Sequence, residues 1–307
     1  MKDSPSAHTF PPRLVGLLVA LTLGWGLNWT VMKIVLSEMP PMHFRTVCLL
    51  LAGLGLLVIA RAGRLRTRVP APQWPRLATI ALVNIGGWNI FAIYGLQLLA
   101  SGRAAILGYT MPAWGVLLST LLLRERLTRR RILGVALACS GMLLLFGSEI
   151  HVVGRSPAGG LLMMGAAFSW ALGTVLMKRW PVDLPTTSFT GWQMLIAAIP
   201  ILTMALAGEQ GSLNPLTLSF WPMLGVIYNV LIAFIFCYWA WTKIATLAPV
   251  GVASLAVMMT PVVGVFSGML LLGESPHWQD YGALGLVVAS LATVLRPART
   301  ARPTPGD

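Results

Sequence analysis

The chain is predicted to be an all-α integral membrane protein with ten transmembrane helices, arranged as two inverted five-helix repeats. Three observations carry this expectation: scarcity of charge, long unbroken apolar runs, and a sequence that resembles itself across its midpoint. Of 307 residues, 56% are hydrophobic and 10% charged, with a mean hydropathy of +0.77. A water-exposed domain carries about 25% charged residues, so most of this surface faces something other than water. A spanning helix needs about 20 mostly apolar residues, and ten of them use roughly 200. The remainder suffices for short connections only, so one membrane domain with no separate soluble domain is expected.

Only helices or closed barrels satisfy every backbone hydrogen bond in lipid, and the unbroken apolar runs lack the alternation of a barrel strand. Spans are predicted at residues 13–36, 42–61, 76–98, 103–123, 131–148, 159–178, 188–207, 219–244, 250–272 and 279–296. Charge and Pro/Gly clusters such as "RAGRLRTRVPAPQWP", "RERLTRRR", "GRSPAGG" and "GESPHWQD" mark the breaks. The first run, Leu14 to Leu36, is longer than the core of a signal peptide and has no small-residue cleavage site after it, so no cleavable leader is expected. Cys48, Cys139 and Cys237 all fall within apolar stretches. They suggest neither a disulfide framework nor a metal site, and no cofactor is expected.

Lysine and arginine set the orientation. With the N-terminus in the cytoplasm, eighteen of the 22 basic residues lie on that side, including Arg61, Arg64, Arg66, Arg68 and Arg76 and the cluster from Arg124 to Arg131. Lys33, Arg45, Arg103 and Arg155 fall on the other. Both termini are therefore expected in the cytoplasm. The net charge of +13 reads as a topology signal rather than a nucleic-acid footprint. The expected partners are the lipid bilayer and a small-molecule substrate, with no nucleic acid, in a monomer or weak dimer.

"GWGLNWTVMK" at 24–33 resembles "SWALGTVLMK" at 169–178, and "MPAWGVLLSTLLLRE" at 111–125 resembles "TPVVGVFSGMLLLGE" at 260–274. The offsets, 145 and 149 residues, are nearly equal, so a single alignment joins both pairs. The copies are placed at residues 1–148 and 159–296, followed by a cytoplasmic tail at 297–307. An odd number of spans per copy inverts the second relative to the first. Inverted halves can exchange conformations and open a midplane site alternately to each side. This favours a transporter over a receptor or an enzyme.

The "WGLNW" of the first span, Arg45 in the second, and a repeated proline followed thirteen residues later by glutamate give the chain its family resemblance. It resembles the drug/metabolite transporter superfamily, specifically the ten-helix EamA-type transporters, among them the YddG-like amino acid exporters. The resemblance spans nearly the whole chain. It implies a carrier of the cell inner membrane, often exporting, with a central cavity lined mainly by spans 1, 3, 4, 6, 8 and 9. The second copy departs from the pattern: Trp192 and Gln193 occupy the region matching Arg45, and Gly173 stands in place of Asn28.

Candidate substrate contacts follow from polar and aromatic residues inside spans. Asn28, Asn84, Asn89 and Asn229 lie well within the membrane, where an amide bonds either to a neighbouring helix or to a polar substrate. Asn84 and Trp88 are four residues apart on one helix face, which marks span 3 as a cavity wall. Trp74, Trp180, Trp221 and Trp278 lie at span ends as interfacial anchors. By contrast Trp25, Trp88, Trp114 and Trp170, with Tyr109, sit near span centres. They either pack or line a cavity that holds an apolar or cationic group by stacking. The predicted substrate-binding set is Trp25, Asn28, Asn84, Trp88, Tyr109, Trp170 and Asn229. Pro112 and Pro261, at matching mid-span positions, are static kinks or gating bends. Lys33 and Lys178 are expected to snorkel. Gly264 with Gly268, and Gly134 with Ala138, fit small-xxx-small helix contacts.

No acidic residue and no histidine falls deep within a predicted span, so an ionisable relay is missing and movement down the solute gradient is favoured over proton coupling. An intramembrane enzyme would need a nucleophile–base pair, paired carboxylates or metal ligands. The sequence offers no H-E-x-x-H and no mid-span aspartate pair. A channel finds no ring-forming charges or filter-like segment. Among cargoes, neutral or aromatic amino acids lead, with drugs, hydrophobic amines or nucleosides second.

Overall fold

The computed structural model describes residues 12–124, 157–241 and 260–295, together with residue 129 and parts of 132–144. The helices are α1 Pro12–Val35, α2 Pro41–Ala62, α3 Ala71–Leu98, α4 Ser101–Leu123, α5 Ala158–Arg179, α6 Thr186–Gly208, α7 Phe220–Trp241, α8 Thr260–Leu272 and α9 Trp278–Leu295. Seven of them, α1 to α7, are long and apolar enough to cross a membrane, and no strand occurs among the described residues. The chain is thus an all-helical integral membrane protein. The predicted fifth span is described only in parts of 132–144, and the stretch joining the eighth to the ninth falls outside the described residues, as do Glu125 and Ala138.

Contacts between helix ends sort the bundle into two faces. At the first, the Lys33 ammonium closes the C-terminal end of α3 by donating to the carbonyls of Leu96, at 3.3 Å, and Leu99, a favourable place for a cation. Lys33 therefore reaches a helix end rather than only the lipid interface. Three carboxylates then each finish one helix and cap the start of another. Glu38, after α1, accepts from the Ser219 amide at 2.8 Å, ahead of α7. Glu209, after α6, accepts from the Met42 and His43 amides of α2 at 2.9 and 3.2 Å. Glu274, after α8, accepts from the amide and hydroxyl of Ser101 on α4, both at 2.8 Å. The first turn of a helix leaves amides without partners and carries partial positive charge, so a carboxylate serves both needs. The two Ser219 bonds hold the Glu38 carboxyl below its ordinary pKa. Its contribution is therefore complete above the ordinary carboxylate range and is lost as pH falls through the lowered value.

At the opposite face Arg66 pairs with Asp183 at 2.7 Å, an exposed contact of little energetic weight. The Asp183 amide donates to Gln73 at 2.8 Å, the Trp192 indole to the Thr67 carbonyl at 2.8 Å, and Arg179 to the Leu122 carbonyl at 3.1 Å. α1 thus ends at the first face. α5 starts there, with Gly159 packed against Leu98 and Leu99, and ends at the second with Arg179. These two helices run in opposite senses.

Two helices depart from α geometry at comparable depths. α3 winds as a π-helix over Leu82–Gly87, and α7 does so over Asn229–Phe236. A π turn leaves a carbonyl without its usual partner. In α3 the Ser169 hydroxyl meets the Val83 carbonyl at 2.6 Å. Close approach of α5 makes this possible: a Cβ at Gly87 would fall 2.0 Å from the Ser169 hydroxyl, and one at Gly173 would fall 2.6 Å from the Asn84 backbone. Gly173 therefore stands where Asn28 stands in the first half because α3 leaves it no room for a side chain.

α4 is interrupted at Tyr109 and Thr110, just before Met111 and Pro112. Proline at 112 has no N–H to offer the Gly108 carbonyl, and the Thr110 hydroxyl turns back to the Leu107 carbonyl at 2.7 Å. The expected bend at Pro112 thus takes the form of a break in the helix. Pro261 is the second residue of α8, and the residues before Thr260 lie outside the described part. On α8, Gly264 faces Ala105 and Gly268 faces Ser101 and Glu274, the close small-residue contact expected of them.

Candidate functional site

A cavity of about 100 Å³ lies where α1, α2, α3, α4, α5 and α7 converge. Its walls hold a run of aromatic rings. Trp29 meets Trp88 at 6.4 Å between centroids, Trp88 meets Trp170 at 5.3 Å, Trp170 meets Tyr238 at 5.9 Å, and Tyr238 meets Trp25 at 5.7 Å. Most of these pairs are edge-to-face, the arrangement that ring quadrupoles favour. Phe234 stacks on Tyr238 at 5.8 Å. The Trp25 indole is fixed by donating to the Ala233 carbonyl at 3.0 Å. The π segment of α7 ends at Phe236, so Phe234 and the rings following it take their direction from that winding.

Of the seven predicted contact residues, Trp25, Asn28, Trp88, Tyr109 and Trp170 line this one cavity. Asn84 and Asn229 do not. The Asn84 amide is buried against α5 and donates to the Trp170 carbonyl at 3.0 Å, which holds that tryptophan from behind. Asn229 donates to the Gly225 carbonyl of its own helix at 3.0 Å. Asn84 and Trp88 share the side of α3 that meets Trp170 of α5, as inferred, but only Trp88 reaches the cavity. Trp114 packs on Phe168 at 5.5 Å, away from the cavity.

Several lining residues lie outside the predicted set: Trp29, Phe234 and Tyr238, which the sequence reading did not single out, Asn89, named there as a mid-span amide, and Arg45, named there as a family signature. Arg45 is the one charged residue among those lining the cavity and is only 3% exposed. Its presence adds α2 to the walls, a span that the family resemblance left out. The matching region of the second half sits at the opposite face, where Trp192 packs edge-on to Trp74 at 5.2 Å. The signal available in sequence was an arginine five residues into a span with no acidic residue one turn away on either side.

A second cavity, about 230 Å³, opens between the start of α4 and the α8–α9 connection, beside Arg103, Glu274, His277 and Asp280. Arg103 pairs there with Asp280 at 2.7 Å, Glu274 caps α4, and Asp280 also accepts from the His277 amide at 2.7 Å. Its charged groups hold the fold together, whereas the one charged group of the central cavity, Arg45, has no carboxylate partner among the described residues.

The family model of the EamA-like transporter family matches residues 13–147 and again residues 157–296. The chain is 27% identical to the "Probable amino-acid metabolite efflux pump" of Salmonella typhimurium over 296 residues, 93% of this chain and 97% of that protein. It is 29% identical over 287 residues to YedA of Escherichia coli, named an inner membrane transporter, covering 92% of this chain and 90% of that one. A crystal structure 19% identical in sequence superposes with a TM-score of 0.67 over 92% of this chain and 96% of the other, a likeness of fold.

Proposed function

The chain belongs to the EamA-like transporter family, and on that premise we propose that it exports neutral or aromatic amino acids across the cell inner membrane by alternating access at the central cavity. The observation carrying this reading is the enclosure of one aromatic-walled cavity, with a single cation and two amides, by helices from both matched stretches. Such walls suit a solute with an apolar side chain and a polar head. The name of the Salmonella relative points the same way, and that of the E. coli relative favours the inner membrane.

Two inverted five-helix halves, 1–148 and 159–296, supply the mechanism. In support, the family model matches twice, α1 and α5 run in opposite senses, and π segments fall in the third helix of each half. Opening towards the first face separates Glu209 from α2, Glu274 from α4, Glu38 from Ser219 and Asp280 from Arg103, every one a contact between halves. Trp25, Asn28, Trp88, Tyr109 and Trp170 contact the solute in this scheme, and the break before Pro112 lets the inner part of α4 tilt. The excess of basic residues on the second face supports the reading that this face, and both termini, are cytoplasmic.

The test is a competition panel against flux in proteoliposomes. Neutral and aromatic amino acids are expected to compete, and nucleosides and hydrophobic amines to fail. Competition by nucleosides or amines alone would transfer the assignment to drug or metabolite export.

A further inference from the structure

Resting on the carrier reading above, we infer that Arg45 binds a carboxylate of the transported solute and Asn28 accepts from its ammonium group, so that the cavity selects carboxylate-bearing solutes against amines.

Arg45 is buried on α2 and lines the cavity, yet no carboxylate lies within ion-pair distance of it among the described residues. Its Nε has no hydrogen-bond partner, and Nη2 meets only the sulfur of Met32, a weak acceptor. The Phe44 and Phe234 rings, at 5.0 and 5.8 Å from the guanidinium carbon, offset part of the burial cost. Glu209, which reaches the same helix one turn earlier, is taken up by Met42, His43 and Tyr94.

A guanidinium keeps its proton in proteins, so a buried one without an anion is costly and marks a place where an anion is supplied from outside. Its fork of donors matches a carboxylate through two parallel bonds. The same fixed charge repels a cationic amine. Asn28 provides the complementary pole. Its side-chain oxygen is buried at the cavity without a donor, and an ammonium offers three. Asn28 lies one turn before Met32 on α1, and Met32 is the residue that the Arg45 guanidinium of α2 meets, so acceptor and cation border the same stretch of the cavity. The ring run from Trp29 to Trp25 is left for an apolar side chain.

Binding to the purified full-length protein, read from intrinsic tryptophan fluorescence, separates these roles with four probes: L-phenylalanine, L-phenylalaninamide, 3-phenylpropionate and phenethylamine. The first and third are expected to bind at least tenfold more tightly than the amide and the amine. In R45Q both carboxylates weaken at least tenfold while the amide is unchanged. In N28A L-phenylalanine weakens and 3-phenylpropionate does not. R45K, which keeps the charge but not the fork, is expected to lower carboxylate affinity and preserve the order of the probes. It carries the test if R45Q does not fold. A monodisperse R45Q or R45K with wild-type carboxylate affinity overturns the inference, as does wild-type protein that binds phenethylamine as tightly as 3-phenylpropionate or binds none of the four. Arg45-dependent binding of 3-phenylpropionate with no amino acid flux would uphold the inference and remove the amino acid reading. Amino acid flux with Arg45-independent binding would do the reverse.

Discussion

Replacing Trp170 with alanine is expected to reduce amino acid flux at least tenfold while the protein stays folded. Trp170 is the middle of the ring run, touching Trp88 at 5.3 Å and Tyr238 at 5.9 Å. Each aromatic pair contributes about 0.5–1.5 kcal/mol beyond simple burial. Loss of both amounts to about 1–3 kcal/mol, centred above the roughly 1.4 kcal/mol that corresponds to a tenfold change. The backbone carbonyl that receives the Asn84 amide survives the substitution, so the seam between α3 and α5 remains closed. Trp170→Phe, which restores a ring, is expected to recover much of the flux. Flux by a folded Trp170→Ala protein at the wild-type rate would remove the ring run from the transport site.

Glu209→Ala is expected to have the largest effect on stability. One carboxylate serves the Met42 and His43 amides, the His43 ring at 3.1 Å and the Tyr94 hydroxyl at 3.2 Å, and its side chain is only 11% exposed. Hydrogen bonds to a charged group contribute about 1.5–3 kcal/mol, and leaving their buried partners unmatched adds to the loss. The thermal midpoint in detergent is expected to fall markedly in Glu209→Ala and less in Glu209→Gln, which keeps one acceptor oxygen. Because α2 carries Arg45, carboxylate binding should weaken along with stability. An unchanged midpoint in Glu209→Ala would mean that the cap bears no load between the halves.

The membrane class was readable from sequence because lipid imposes length and apolarity on every span, and α1 to α7 follow the predicted runs closely. The aromatic part of the site was readable for a related reason. Trp25, Trp88 and Trp170 sit too deep to be interfacial anchors, and in the folded chain they converge on one cavity. Asn84 and Asn229 misled because an amide in lipid needs a partner of any kind, and theirs are backbone carbonyls. The π segments that turn neighbouring side chains have no evident signature in composition. Arg45 is absent from the predicted contacts because in sequence it reads as a family signature and a marker of orientation. The capping carboxylates were visible as acids at span ends, but their partners lie far away in sequence, as Glu274 and Ser101 do.

Counterflow in proteoliposomes tests the central claim most directly. A carrier that exposes one cavity to each side in turn predicts saturable uptake of a labelled neutral or aromatic amino acid, accelerated by unlabelled solute trapped inside. Uptake that rises linearly with concentration and ignores the trapped solute would describe a pore, and would contradict alternating exposure of the Trp170 cavity.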